Sequence, residues 1–399
     1  MSDKKQVVDS TLRTTSTDGI PAESLTAADT AGQRAKRSGK DITNLLIRTI
    51  APVLLALIAG ALILLAMGKD PLFFYGNIIN YGIMGRGWQQ SLVMMTPLLL
   101  MAAGLIVVFR GKLWNLGYDA QYLLAAVLVI GFAPTLNAVL PWWLTLIVLT
   151  LLGIVVGAAW TIVPAFLKAR FETNEIITTL MMSFIGVGIA NLLVRGPFHD
   201  PDKVVPQTQA IPLDSMLPFI PGTRVHVGLI VAIVVVLILH WVLTRTSFGL
   251  RLDIFGANPK TAMHVGIDTS RMIVTLFIIS GGLIGLAAAM DMLGLWGYVR
   301  SNWNPEYGAA VIPFVFLARL NVLGSIPFVA FYAIVANGGQ IAAQDSDLST
   351  DFILVLIALI LIFMSIIEYV GTRRDLGQSY LPPGLKTSVA QLFGRKKSS

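Results

Sequence analysis

Residues 144–166 read LTLIVLTLLGIVVGAAWTIVPAF, and none of them is ionisable. A helix rises about 1.5 Å per residue, so this run alone can cover the roughly 30 Å of hydrocarbon in a bilayer. Residues 53–67 and 352–367 are equally free of charge, and similar stretches recur along nearly the whole chain after Asp41. A soluble domain would hold roughly 25% charged and 45–50% apolar residues. This chain has 13% charged residues, 55% hydrophobic residues and a mean hydropathy of +0.75. Inside lipid every backbone N–H and C=O needs an internal partner, which leaves helices or closed barrels. The alternation of barrel strands is absent. The fold class is therefore all-α, a polytopic integral membrane protein.

The apolar stretches predict about ten transmembrane helices, at 43–67, 91–109, 119–132, 143–167, 175–194, 226–244, 271–290, 308–320, 322–340 and 352–370. With both termini in the cytoplasm, 23 of the 29 basic residues fall on the inner side and six on the outer. That bias follows the positive-inside rule. Within 308–340, Pro313, Arg319, Asn321, Gly324 and Pro327 interrupt the apolar pattern. One bent span there would reverse the parity and carry the basic C-terminal tail outside, so two crossings meeting near Arg319–Asn321 are expected. Residues 1–42, polar and Ser/Thr-rich, read as a disordered cytoplasmic tail, 43–371 as the transmembrane domain and 372–399 as a basic cytoplasmic tail. The first apolar run starts near Leu45, too late for a secretory signal, and reads as a retained span.

Several chemistries find no support. The chain has no cysteine, and its four histidines lie far apart with no ligand-spaced partner, so no metal site is expected. No GxxxxGK[ST] phosphate loop occurs, which assigns any ATP chemistry to another subunit. No carboxylate pair or Ser/His/Asp set points to catalysis. No cofactor and no nucleic-acid partner are expected; membrane lipid is.

The inner connection 244–270, TRTSFGLRLDIFGANPKTAMHVGIDTS, is the most informative loop. Asn258 suits an N-cap, Pro259 the first helical turn, and Gly266 the left-handed residue past a helix end. A short helix at 259–265 follows, with Ala262, Met263 and Val265 as a small apolar knob. Structureless connectors this long are uncommon unless functional. An ordinary capped surface connector is the competing reading. Two further inner stretches, 110–122 and 170–181, each begin a helix with an Asn and place an acid early, Asn115 with Asp119 and Asn174 with Glu175. Acids there favour the helix dipole. Asn191, His240, Asn337, Gln340 and Glu368 are polar positions within or near the ends of spans, where polar groups are functional candidates.

At these stretches the chain resembles the permease family of bacterial ABC importers serving ribose and other simple sugars, nucleosides and branched-chain amino acids, most of all its nucleoside and simple-sugar branch. Residues 114–121, WNLGYDAQ, parallel the family's FNIGAEGQ: Asn115, Gly117 and Gln121 match, and Asp119 stands for Glu. Residues 174–185, NEIITTLMMSFI, parallel NEVISTLMLNYI. Residues 256–267, GANPKTAMHVGI, parallel the loop pattern G-x-N-x-x-A-A-x-x-x-G-I, with Thr261 for the first Ala. The chain departs from the family at 307–324, YGAAVIPFVFLARLNVLG, where GFDGIAVALLG is common. The resemblance implies a multi-pass permease of the cell inner membrane, with ABC ATPase subunits on the cytoplasmic side, a substrate-binding protein outside, and a second permease copy or a paralogous permease completing the pore. It implies a coupling helix built on Gly256, Asn258, Pro259, Ala262, Met263 and Gly266. Asn115, Gly117, Asp119, Gln121, Asn174 and Glu175 become candidates for a gate or pathway, joined by Asn191, Arg319 and Asn321 as polar positions within or between spans. The cargo would be a nucleoside or simple sugar. The alternative is an ion-driven secondary transporter of a small polar solute, which would need membrane-buried acids; the acids here read as lying at span ends or in loops.

Overall fold

The computed structural model of the protein describes residue 48 and residues 50–375. The expected tail at 1–42 and residues 376–399 lie outside the described residues. No strand forms among the described residues, only isolated bridges that join residues 199–226 to one another and to Arg300. The helices in chain order are α1 (Ile50–Ala66), α2 (Pro71–Gly82), α3 (Gly87–Arg110), α4 (Tyr118–Asn137), α5 (Trp142–Trp160), α6 (Ile162–Phe171) and α7 (Glu175–Arg195). They continue with α8 (Gly228–Arg245), α9 (Ser247–Ala257), α10 (Pro259–His264), α11 (Thr269–Asp291), α12 (Tyr307–Leu317), α13 (Ser325–Asp345) and α14 (Phe352–Asp375). Among the described residues, eight helical segments are long and apolar enough to cross a membrane, and α1 and α12 are shorter apolar helices. These helices overlap the stretches expected from the sequence, eight of them long enough to span; residues 43–47 of the first stretch lie outside the described residues. α5 and α6 form one segment, Trp142–Phe171, interrupted at Thr161, whose hydroxyl donates back to the Ala158 carbonyl at 2.7 Å. α14 runs on to Asp375, past the expected boundary at 371.

α3 is the central helix: 89% of its apolar stretch is buried inside the protein, against 22% for α7 and α14. It packs on α8, α11, α12 and α13. The closest crossing is α5 on α11. A methyl group added at Gly157 would overlap the Gly281 carbonyl, and one at Gly285 would overlap the Gly153 carbonyl. Each helix thus presents a Gly-x-x-x-Gly face to the other, which lets backbones touch where lipid offers no hydrophobic drive for association.

α2 is an element absent from the sequence expectation. Asp70 caps it by accepting from Leu72 N at 2.8 Å, Pro71 occupies its first turn, and it lies along α13. The doubtful stretch 308–340 forms two helices. α12 stops at Leu317, Arg319 and Leu320 adopt positive φ of 53° and 56°, and Asn321 accepts from Gly324 N at 3.1 Å. The chain folds back so that Phe314 stacks on Tyr332 with ring centroids 5.2 Å apart.

The segments assigned to one side by the charge bias meet at one end of the bundle, here the basic end. Arg110 pairs with Asp253, and Ser270 Oγ donates to the Ala169 carbonyl. At the opposite end, named the outer-loop end because it carries the loops expected outside, residues 206–211 lie against 297–301, with Thr208 N donating to Val299 O and Ile211 N to Gly297 O, both at 2.9 Å.

Candidate functional site

The basic end carries the capped loop. Asn258 Oδ1 accepts from Lys260 N at 2.9 Å, Pro259 begins α10, and Gly266 has φ +80°. A residue with a Cβ resists that φ. The loop is more ordered than a connector with one short helix, because 247–257 is itself the helix α9. Ala262 is fully buried on the inner face of α10 and so is not part of an exposed knob, with Ile267 N donating to its carbonyl at 3.0 Å. Met263 is 55% exposed and Val265 60% exposed, so these two form the apolar knob. Asp268 caps α11 by accepting from Arg271 N at 3.0 Å. Gly256 lies directly on the carbonyl of Arg110, the last residue of α3. Beside it a cavity of about 440 Å³ gathers Arg110, Lys112, His240, Asp253, Arg319 and Asn321. The loop and the α12–α13 turn, far apart in sequence, are thus neighbours.

The Asn115 stretch is buried rather than exposed. Asn115 and Gln121 exchange amide hydrogen bonds of 3.0 and 2.9 Å, and Asn115 Nδ2 also donates to Ser280 Oγ at 3.0 Å. Asn115 Oδ1 further accepts from Gly117 N at 3.1 Å, and Gly117, not Asn115, is the N-cap residue of α4. Asp119 sits in the first turn of α4. Leu116 N donates to Thr179 Oγ1 at 3.1 Å, tying this segment to α7. Asn174 caps α7, accepting from Ile176 N at 2.9 Å, and Glu175 pairs with Lys168 Nζ at 2.8 Å. Asn191 stands at the other end of α7, its Oδ1 accepting from Asn302 N at 2.6 Å.

The largest chemical surprise lies toward the outer-loop end. A cavity of about 910 Å³ opens between α3, α13, the N-terminus of α14 and residues 295–307. Trp296, Tyr298, Trp303, Tyr307 and Tyr332 give it aromatic walls; Gln90, Asn304, Asn337 and Gln340 supply amides, and Glu306 and Asp351 the acids. Pockets of roughly 300–1,000 Å³ with aromatic walls and a few polar groups suit small organic ligands. Sequence reading flagged only Asn337 and Gln340 of these residues, although 295–307, LWGYVRSNWNPEY, is dense in aromatic and amide side chains.

Asp291 corrects the reading of the acids. It lies within the segment Thr269–Trp296, fully buried, because apolar residues continue past it through a π-helical turn, Met292–Trp296. Such turns are frequent at functional sites. The Tyr122 hydroxyl donates to Asp291, and the Tyr122 ring meets Tyr307 edge to face at 5.7 Å. Asp291 therefore stands behind the aromatic wall of the cavity. Among the described residues no group of His, Cys, Asp and Glu could hold a metal ion.

A bundle of membrane-crossing helices with an aromatic and amide-lined cavity toward one end and a capped apolar knob at the other defines a transport permease. The chain belongs to the branched-chain amino acid transport system / permease component family, whose model matches residues 88–365. It is 27% identical to a glucose ABC transporter permease protein of Haloferax volcanii, over 82% of this chain and 88% of the relative. It is 29% identical to a guanosine ABC transporter permease protein of Bacillus subtilis, over 65% of this chain and 75% of the relative. A nucleoside ABC transporter permease protein of Lactococcus lactis is 23% identical, over 79% and 89%. No solved structure matches the chain. It is an ABC permease and a multi-pass membrane protein, and its relatives are transport components.

Proposed function

We propose that the chain forms the translocation pathway of an ATP-driven importer for nucleosides or simple sugars. The observation that carries this reading is the pairing of the outer cavity with the exposed knob at the basic end. Aromatic faces stack on nucleobases and sugar rings, and amides donate to and accept from hydroxyls. Met263 and Val265 on a short capped helix offer a small apolar plug to a groove in a cytoplasmic ATPase subunit. In this reading the basic end faces the cytoplasm, ATP is hydrolysed in that separate subunit, and a substrate-binding protein delivers cargo to the loop 195–224. A second permease copy or a paralogue completes the pore. Ion-driven transport is the weaker reading: Asp291 is a buried acid of the kind it needs, yet the carboxylate is engaged by Tyr122, and the family is that of ABC permeases.

Uptake into vesicles bearing the assembled transporter tests this. With the ATPase subunit inactivated, accumulation of labelled nucleoside or sugar should stop. Uptake that continues on an ion gradient alone sinks the proposal.

A further inference from the structure

The knob-bearing loop is joined covalently to the bundle at both ends, α8 leading through Thr246 into α9 and α10 leading through the Asp268 cap into α11. A non-covalent clasp between α9 and the end of α3 adds a third attachment, to the central helix. Arg110 Nη2 lies 2.6 Å from Asp253 Oδ1, and Lys112 Nζ donates to the Ala257 carbonyl at 3.4 Å. Gly256 brings the α9 backbone onto the Arg110 carbonyl, where any side chain would collide. The two ionic side chains are 20% and 53% exposed. With Asp253 half exposed, solvent screens the pair and its contribution to stability is modest, beside the far larger burial along α3. At its other end α3 delivers Gln90 and Met94 to the outer cavity. Between these points it is the most buried of the candidate spans, and packed interiors transmit displacement instead of absorbing it.

We propose that Arg110 and Asp253 are positioning residues that pass movement of the docking loop to α3, making α3 a rod between the ATPase dock and the outer cavity. This rests on α10 being that dock. A link of this kind predicts coupling lost without assembly lost, the signature that separates transmission from mere proximity.

The experiment uses the complete transporter in vesicles and reads nucleoside or sugar moved per ATP hydrolysed. Arg110→Ala and Asp253→Asn should each lower that ratio about tenfold while the ATPase subunit still copurifies. Arg110→Asp combined with Asp253→Arg should recover most of it, because the swap restores the pair. As a second measurement, Arg110→Cys with Asp253→Cys can be joined by a short, reducible bis-thiol reagent in a chain that has no other cysteine. Cross-linking should restore the ratio and reduction should abolish it again. An unchanged ratio in the single variants overturns the proposal, as does a ratio equally low in the swapped and cross-linked proteins. Loss of ATPase copurification in the single variants also overturns it, since the pair would then belong to the dock itself. If Met263→Glu leaves docking intact while the clasp variants still uncouple, the dock reading falls and the clasp survives.

Discussion

Replacing Met263 by Glu is the sharpest test of the docking knob. With its neighbour Val265, Met263 forms the exposed apolar tip of α10, whereas Ala262 is fully buried within the protein's own packing. A charge at Ala262 would therefore disturb the loop itself, and Met263 separates docking from folding. Full burial of a methionine side chain is worth about 1.5–3 kcal/mol. Slightly over half of this one is exposed, which leaves about 1 kcal/mol for a partner to gain. An uncompensated carboxylate in the same groove costs about 3–5 kcal/mol. The sum, near 4 kcal/mol at the low end, weakens docking about a thousandfold at about 1.4 kcal/mol per tenfold. The assay is titration of detergent-solubilised permease with its ATPase subunit, alongside cargo-stimulated hydrolysis. Insertion and thermal stability of the permease should not change, since the side chain points away from its core. Unaltered affinity together with normal stimulation would refute the reasoning.

Three other outcomes are expected. Gly281→Val forces a branched side chain into the Gly157 carbonyl; overpacking of this kind costs about 1–3 kcal/mol, seen as a lower melting temperature in detergent, and an unchanged value would mean the crossing relaxes freely. Asp291→Leu leaves the buried Tyr122 hydroxyl without its acceptor, a cost of about 1–3 kcal/mol, whereas Asp291→Asn keeps an acceptor and should cost less; equal losses in thermal stability would contradict this. Val204, fully exposed in the loop 195–224, should become a blocking site when changed to Cys and labelled from outside with a bulky reagent; complete labelling with undiminished binding-protein-dependent uptake would show that cargo delivery does not use this loop.

The spans were legible because their signal is local: an uncharged run such as 144–166 declares a helix in lipid without reference to anything else. The α10 caps were legible for the same reason, since Asn258, Pro259 and Gly266 act within one turn of each other. α2 was hidden by its brevity, although Asp70 followed by Pro71 is a helix start. Contacts between distant segments were not legible. Nothing in the chain announces that Arg319 neighbours Gly256, that Asn115 bonds Ser280, or that Trp296, Tyr307 and Tyr332 face one cavity. Asp291 was misjudged from a span edge set one residue too early, yet its apolar flanks, AAAMDMLGLW, carried the signal. The four glycines 153, 157, 281 and 285 also spelled out their spacing, though not that the two pairs face each other.

That facing pair sets how α5 and α11 can move. Two backbones pressed together at glycine steps behave like a toothed rack. A slip by one residue would drive the methyls and branches beside each glycine into opposing carbonyls, and a slip by a full turn, about 5.4 Å, would leave only one of the two notches filled. Interfaces of this sort change by discrete jumps and not by creep. α5 must then travel with α11 as one slab, and only 28% of the apolar stretch of the α5–α6 segment is buried in the protein. Whatever stroke α11 makes is therefore carried to a face of α5 that this chain's own packing leaves uncovered, so what lies against that face should tune the rate of the cycle.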